Sequence, residues 1–353
     1  MSRPRATTRL AAAALAALAV VGCGNAAKHT AATPKGSPAA PARTAAVSGL
    51  PAGRFAFRRF LDDAQTQGAV FTINTDGSDD RQITHPQQGT VDDQPDWSPD
   101  GKQIAFERCS DTKGCIAMVV GAQGGEPRQV KLKCHLKGGC DASAPAWTPD
   151  GRLVIELAQG REKVNGDARQ IEEQSLELVD PATGAQRTIV KQTRWRGGQS
   201  GPAVSADGRT IVYTHENSWL AEPRFAAALY SVRIDGSRDR RIAPFKLGGG
   251  DHPAFSPVGA VLFRSYDGND SVQSDYWTVK PNGRGLAQLT HFEEGTLVLS
   301  GSYSPDGEWI VHAGDGVGGK ADLYVMKADG SGNRPFTRTK AWDSAPDWGP
   351  PAA

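Results

Sequence analysis

The chain has 353 residues, with 40 basic and 39 acidic side chains, 38% hydrophobic residues, 41 glycines and 3 methionines. This near balance of charge excludes a sequence-wide basic field of the kind that attracts nucleic acid or anionic lipid. A glycine-dense chain with that apolar share suits one turn-rich all-β domain with an adequate core.

The first residues read as an address. Arg3, Arg5 and Arg9 form a basic start, and residues 10–21 form an apolar stretch too short to cross a bilayer core of ~30 Å as a helix. The stretch ends in Val20, Val21, Gly22 and Cys23. That ending resembles a bacterial lipobox, which predicts a signal peptide over residues 1–22 and a lipidated Cys23; a plain signal followed by an incidental thiol is the other reading. Removing those residues takes three arginines from the 40 and no acid, leaving 37 basic against 39 acidic groups. Residues 23–50 are rich in Ala, Pro and Thr and poor in anything to bury, so they are predicted to be a disordered tether with a reach of roughly 30 Å.

From residue 51 onward a short phrase recurs: WSPDG at 97–101, WTPDG at 147–151, VSADG at 204–208, FSPVG at 255–259, YSPDG at 303–307 and a clipped WGP at 348–350. In Ser98, Pro99, Asp100 and Gly101 the residue types are those of a tight reversal, with proline presetting φ and glycine free to take a left-handed conformation. A β-rich run follows each phrase, as at Ile104, Ala105 and Phe106 or Leu153, Val154 and Ile155. A second hairpin then repeats, turning at Asp76-Gly77, Gln123-Gly124-Gly125, Asp180 to Gly184, Asp235-Gly236, Asn282-Gly283 and Asp329-Gly330. Four antiparallel strands per repeat follow, and a repeat of about 50 residues is the length of a propeller blade. The anchor aromatics Trp97, Trp147, Phe255, Tyr303 and Trp348 are predicted to wedge between neighbouring blades. The chain opens on a second strand near Phe55 and ends on an innermost strand at Trp348. The reading over residues 51–353 is therefore an all-β, six-bladed propeller closed by joining its terminal strands, which leaves no free sheet edge at the junction.

These residues resemble the TolB family of propellers. The matching pieces are Ile83-Thr84-His85 leading to Pro95-Asp96-Trp97-Ser98-Pro99-Asp100-Gly101, and Leu289-Thr290-His291 leading to Tyr303-Ser304-Pro305-Asp306-Gly307. The resemblance covers roughly residues 50–350 and implies the propeller fold. The same repeat occurs in periplasmic scaffold proteins, in the propeller domains of prolyl peptidases and in bacterial lipoproteins, so fold alone does not assign a function.

Four further cysteines, Cys109, Cys115, Cys134 and Cys140, lie in one repeat. An even number in an oxidising compartment predicts two disulfides; three connectivities are possible, and Cys109 with Cys115 and Cys134 with Cys140 is the preferred one because each pair closes a short loop. A four-cysteine zinc site, with His135 nearby, is the alternative.

The residues ahead of each anchor proline are predicted to form the channel mouth: Asp92, Asp93, Ser143, Ser200, Asp251, His252, Ser300, Asp343 and Ser344. Converging carboxylates suit a cationic or sugar-like ligand, a bound cation or a partner's basic side chain; turn and strand-entry roles are the plainer account of the same residue types. Two charged or aromatic loops, residues 158–174 and 215–225, are expected on the same face. The second offers Trp219 and Arg224, residue types that anchor interfaces. His85 and His291 hold equivalent repeat positions, which argues for structure over a ligand pair, and His312 replaces the aromatic of its second strand.

No G-x-S-x-G, H-E-x-x-H or P-loop motif is present in the chain. The sequence therefore reads as an extracytoplasmic lipoprotein, anchored to a bacterial membrane, whose monomeric propeller binds an envelope protein or glycan through its channel face. It has no nucleic-acid partner and requires no cofactor, though the channel could hold a cation of unassigned identity. The alternative is a metal-assisted lyase or hydrolase at the channel mouth.

Overall fold

A computed structural model describes residues 49–110, 113–136, 139–161, 170–193, 199–216, 227–247, 251–266, 274–293, 296, 298–315 and 319–351. The leader, Cys23, nearly all of the tether, Trp219 and Arg224 lie outside the described residues. Among the described residues no helix is long and apolar enough to cross a membrane.

The strands run in chain order with the repeat. The first three are β1 (Arg54–Phe60), β2 (Gly68–Asn74) and β3 (Arg81–Gln82). They are followed by β4 (Thr90–Trp97), β5 (Gln103–Ser110), β6 (Gly114–Gly121) and β7 (Arg128–Gln129), then β8 (Cys140–Trp147), β9 (Leu153–Arg161), β10 (Gln170–Val179) and β11 (Gln186–Thr193). Next come β12 (Gln199–Val204), β13 (Thr210–Glu216), β14 (Ala227–Arg233) and β15 (Arg240–Arg241), and β16 (Asp251–Phe255), β17 (Val261–Tyr266), β18 (Ser274–Val279) and β19 (Ala287–Gln288). The last are β20 (Val298–Tyr303), β21 (Trp309–Asp315), β22 (Ala321–Lys327), β23 (Arg334–Pro335) and β24 (Asp343–Gly349).

Strands β8 to β23 form four separate four-stranded antiparallel sheets. The remaining eight strands form one mixed sheet in the order β24-β1-β2-β4-β5-β6-β7, with β3 on β2. This departs from the purely antiparallel expectation through one parallel bridge, Gly68 to Val91. Glycine permits the approach, because a Cβ at Gly68 would stand 2.9 Å from Val91 Cγ1. The last strand pairs antiparallel with the first, Arg54 opposite Gly349 and Phe55 opposite Trp348.

The recurring phrase folds as its residue types require. The Gly101 N–H donates to Ser98 O at 2.8 Å, with Gly101 at φ 67°. The phrase aspartate fixes the turn by accepting the hydroxyl two residues before it: Ser98 to Asp100 at 2.7 Å, Ser205 to Asp207 at 2.6 Å and Ser304 to Asp306 at 2.5 Å. The anchor aromatics pack against neighbouring strands, within the mixed sheet at Trp97 and Trp348 and between sheets at Trp147. Trp97 packs with Ala56 and Val70 of the preceding strands and with Ile104 and Phe106 of its own hairpin. Trp147 does the same against Ala105 and Ala117, and Trp348 meets Phe55 edge-on at 4.7 Å.

The inner strands β4, β8, β12, β16, β20 and β24 touch in that order, and β24 touches β4. Each carries a register shift just before its anchor residue. At five of these bulges one residue takes a left-handed φ: Gln94 at 51°, Ala144 at 44°, Gly201 at 54°, His252 at 49° and Ala345 at 52°. The bulges re-aim the inner strands where they face one another.

Both expected disulfides are present, Cys109 with Cys115 and Cys134 with Cys140. Cys109 and Cys115 stand opposite each other on β5 and β6, and they fit an extracytoplasmic location. Residues 158–161 and 170–174 differ from the loop expected there: β9 continues to Arg161 and β10 begins at Gln170, with those two residues paired. Cross-strand pairing satisfies their backbone.

Candidate functional site at the inner strands

The acids ahead of the anchor prolines are placed on the inner strands, and arginines of adjacent strands meet three of them. Asp92 is fully buried and receives both Arg108 Nε, at 2.6 Å, and Arg108 Nη2, at 2.8 Å. Asp343 is likewise buried and receives Arg59 Nε at 2.7 Å and Nη2 at 2.9 Å. Burial raises the Asp343 carboxyl above its ordinary range, with Arg59 opposing. Asp93 pairs with Arg58, whose other terminal nitrogen donates to Ser344 Oγ at 2.5 Å. His252 sits at a bulge and is half-buried; Asp251 opens β16 and its side chain lies outside the described residues. His85 and His291 are exposed, whereas His312 is buried between Tyr276 and Tyr324 and shares a 2.8 Å hydrogen bond with Asn333. Burial lowers His312 to about 4, so it is neutral at ordinary pH. A pocket of about 70 Å³ beside it has room for a few waters, well short of the roughly 300 Å³ of a typical ligand site.

The second strands supply what the phrases alone do not show. Opposite the residue before five of the bulges stand Arg58, Glu107, Glu156, Thr214 and Arg264, and opposite the residue before the sixth stands Gly314. Several of these reach forward to the next inner strand. The Ala144 N–H donates to Glu107 Oε2 at 2.8 Å, the Gly201 N–H donates to Glu156, and Arg264 Nη1 donates to Val298 O at 3.0 Å. One layer further in, the Trp147 N–H donates to Asp96 Oδ2 at 2.7 Å and the Trp97 N–H to Asp347 Oδ2 at 2.9 Å. Ser302 Oγ donates to Asp347 Oδ1 at 2.8 Å. The bulges are thus held by side chains from neighbouring sheets.

These carboxyls have an unusual environment. Glu107, Glu156, Asp96 and Asp347 are surrounded by protein, yet each residue keeps part of its surface open to solvent. Glu107 spends Oε2 on the Ala144 N–H, and among the described residues no donor is seen on its Oε1. Burial and the Asp93 charge raise Glu107 to about 7; burial with Glu107 and Glu216 raises Glu156 to about 8. Burial and the nearby Asp347 hold Asp96 well above the carboxylate range. Arg58 faces this wall, while the corresponding position on β21 is Gly314 and Arg264 donates to Val298 O, so the acid is concentrated on the side built by β4, β5, β8, β9 and β24. Among the described residues no three His, Cys, Asp or Glu side chains come together in a way that could hold a metal ion.

Glu107 and Glu156 were not among the mouth residues expected from sequence. The available signal was the fourth residue of five of the six second strands, counted from the partner of the anchor: Arg58, Glu107, Glu156, Thr214 and Arg264 follow three residues of largely apolar or aromatic type, whereas β21 has Ala313 there. The strand alternation sends that residue toward the next sheet's bulge.

No protein-family model matches the chain. Over 97 residues it is 35% identical to the Tol-Pal system protein TolB of Anaeromyxobacter dehalogenans (strain 2CP-C), covering 27% of this chain and 21% of that protein. Over 156 residues it is 29% identical to the uncharacterized peptidase YuxL of Bacillus subtilis (strain 168), covering 37% of this chain and 22% of that one. The matched stretches thus span about a fifth of these relatives' own length. Among solved structures, TolB from Acinetobacter baumannii aligns with a TM-score of 0.62 at 19% identity, covering 84% of this chain and 67% of that one. An oligogalacturonate lyase in complex with manganese aligns with a TM-score of 0.55 at 17% identity, covering 82% and 74%. The repeated phrase, the four-stranded sheets and these likenesses together show a fold like that of the TolB propellers.

Proposed function

We propose that this chain is a six-bladed propeller, closed by β24 beside β1, that acts as an extracytoplasmic binding or scaffold module for an envelope protein or glycan. The mixed sheet is read as two blades touching at the Gly68 bridge. A lipidated Cys23 and the tether of residues 23–50 hold the monomeric propeller to a bacterial membrane, a reading supported by the basic start, the apolar stretch and the lipobox-like ending. Asp92, Asp93, Asp251, His252 and Asp343 are proposed as the residues framing the mouth, and Trp219 and Arg224, outside the described residues, are proposed as partner contacts on their residue types alone. The observation that carries the reading is the acidic wall at Glu107 and Glu156, where deep carboxyls remain open to solvent and face few compensating cations. No cofactor is required, and a channel-bound cation is compatible with the charge.

The test is affinity capture from an envelope extract with the full chain, beside a variant carrying D93N, E107Q and E156Q. Capture by the parent and loss in a variant that melts cooperatively support the module. Equal enrichment by both would place the partner elsewhere on the surface.

The second reading, a metal-assisted lyase or hydrolase at the mouth, draws on the fold shared with the oligogalacturonate lyase. Turnover of an oligosaccharide by the parent, abolished by the same substitutions, would favour it.

A further inference from the structure

The outer strands repeat one residue type at one register position, with one exception. Opposite Thr72, Val119, Leu178, Ser231 and Val325 stand Arg81, Arg128, Arg187, Arg240 and Arg334, whereas opposite Thr278 stands Ala287. Four of these arginines donate to the second-hairpin turn of the following repeat: Arg81 Nη1 to Gln123 Oε1 at 2.8 Å, Arg128 Nη1 to Pro181 O at 2.9 Å, Arg187 Nη2 to Ile234 O at 2.8 Å and Arg240 Nη2 to Pro281 O at 3.2 Å. A guanidinium on an oxygen makes a charge-assisted hydrogen bond, so each of the four clasps its outer strand to the neighbouring repeat.

The exception lies at the seam between the β16–β19 and β20–β23 sheets. Gly330 of the following turn approaches Leu289 there as Gly236 approaches Ile189 at a clasped seam: an added Cβ would stand 2.6 Å from Leu289 O and 2.8 Å from Ile189 O. The turn is thus in place, but Ala287 has no side-chain donor to offer it, and among the described residues no side-chain hydrogen bond joins β19 to residues 328–331. Leu289 is half-buried, where its counterparts Ile83, Ile242 and Phe336 are buried. The inner half of the seam is tied: Arg264 Nη1 and Ser274 Oγ both donate to Val298 O at 3.0 Å, and the Tyr276 hydroxyl donates to Leu299 O at 2.9 Å. The cavity of about 70 Å³ stands at this seam too, and Phe292, which follows β19, lines it together with His312 and Tyr324.

We propose that this seam is a hinge built into the fold: its outer edge opens ahead of the clasped edges while Arg264, Ser274 and Tyr276 hold its inner strand. Local opening follows the bonds that must break, and one charge-assisted bond fewer at a partly solvated edge makes the open form about three- to tenfold more populated. An incompletely filled interior acts in the same direction, because groups lining a void have fewer contacts to lose. Movement of β19 carries Phe292 with it, so the hinge changes the width of the cavity beside His312.

The experiment is amide hydrogen exchange of the full chain followed by nuclear magnetic resonance, with each rate corrected for the intrinsic effect of its neighbours in sequence. The Leu289, Ile83 and Ile242 N–H groups make equivalent outer-strand bonds, to Tyr276 O, Val70 O and Leu229 O, each at 2.8 Å. Leu289 is expected to exchange about three- to tenfold faster than Ile83 and Ile242. A287R supplies the missing donor and should bring Leu289 close to the other two. R240A removes a clasp and should speed Ile242 by a similar factor while leaving Leu289 and Ile83 as they are. Leu289 exchanging as slowly as Ile83 and Ile242 in the parent would overturn the proposal, as would an unchanged rate at Leu289 in A287R or at Ile242 in R240A. The comparison within the parent decides the matter even where a variant fails to fold.

Discussion

Glu156 holds a proton at pH values where the same side chain in an unfolded chain has lost it, because burial and the charges of Glu107 and Glu216 all disfavour its anion. The folded state therefore binds more protons than the unfolded state above the ordinary carboxyl range, and stability falls as pH rises toward about 8. Glu107 adds the same trend up to about 7. In thermal melts E156Q should be more stable than the parent at about pH 8, by on the order of 1–2 kcal/mol once channel water is allowed for, and nearly equal to it at about pH 5. A parent whose stability rises over that window would contradict the assignment of these groups. Asp347 behaves differently, since it accepts from the Trp97 N–H and from Ser302 while raising Asp96. D347A leaves those donors unpaired and should cost about 1–3 kcal/mol in chemical denaturation. D347N keeps an acceptor and removes the repulsion with Asp96, so it should cost much less; equal losses would mean that charge, rather than hydrogen bonding, is what the site needs.

The bulged inner strands combine local legibility with long-range partners. Their turns were readable from sequence because Ser98, Asp100 and Gly101 satisfy one another within a few residues, and the anchor aromatics were readable because each seam demands a large rigid side chain. The Cys109–Cys115 pairing followed from its short separation. The acids were only half legible. Asp92 and Asp343 are spent on Arg108 and Arg59, and nothing near Asp343 in the chain announces an arginine 284 positions away. Glu107 and Glu156 looked like ordinary strand residues, because their role depends on a bulge in the following repeat. The bulges also carry backbone strain where the left-handed residue is not glycine. A144G should stabilise by about 0.5–1 kcal/mol, since Ala144 at φ 44° pays a steric cost that glycine avoids. Conversely G201A, at φ 54° and with no atom nearer than 3.8 Å to the added Cβ, should cost about 1 kcal/mol from conformation alone. Denaturant midpoints for the two variants should move in opposite directions; movement in the same direction would remove strain as the explanation.

At the scale of the whole molecule, β24 ties the end of the chain to its beginning. It pairs with β1, buries Trp348 against Phe55, places Asp343 on Arg59 and, through Asp347, holds the Trp97 N–H of β4. Deleting residues 343–353 should therefore abolish the cooperative melt rather than lower its midpoint, because it exposes a sheet edge and empties one seam together. A truncated chain that still melts in a single sharp transition would show that the terminal pairing is dispensable. Closure by β24 would also leave the open carboxyls as the surface a partner meets from within. The most direct test of that account is hydrogen exchange on the full chain, free and bound to the partner captured from envelope extract. The account predicts new protection concentrated in β4, β5, β8 and β9, around Asp93, Glu107, Ala144 and Glu156, with the outer strands unchanged; protection confined to β3, β7, β11 or the other outer strands, with the inner strands unaffected, would contradict it.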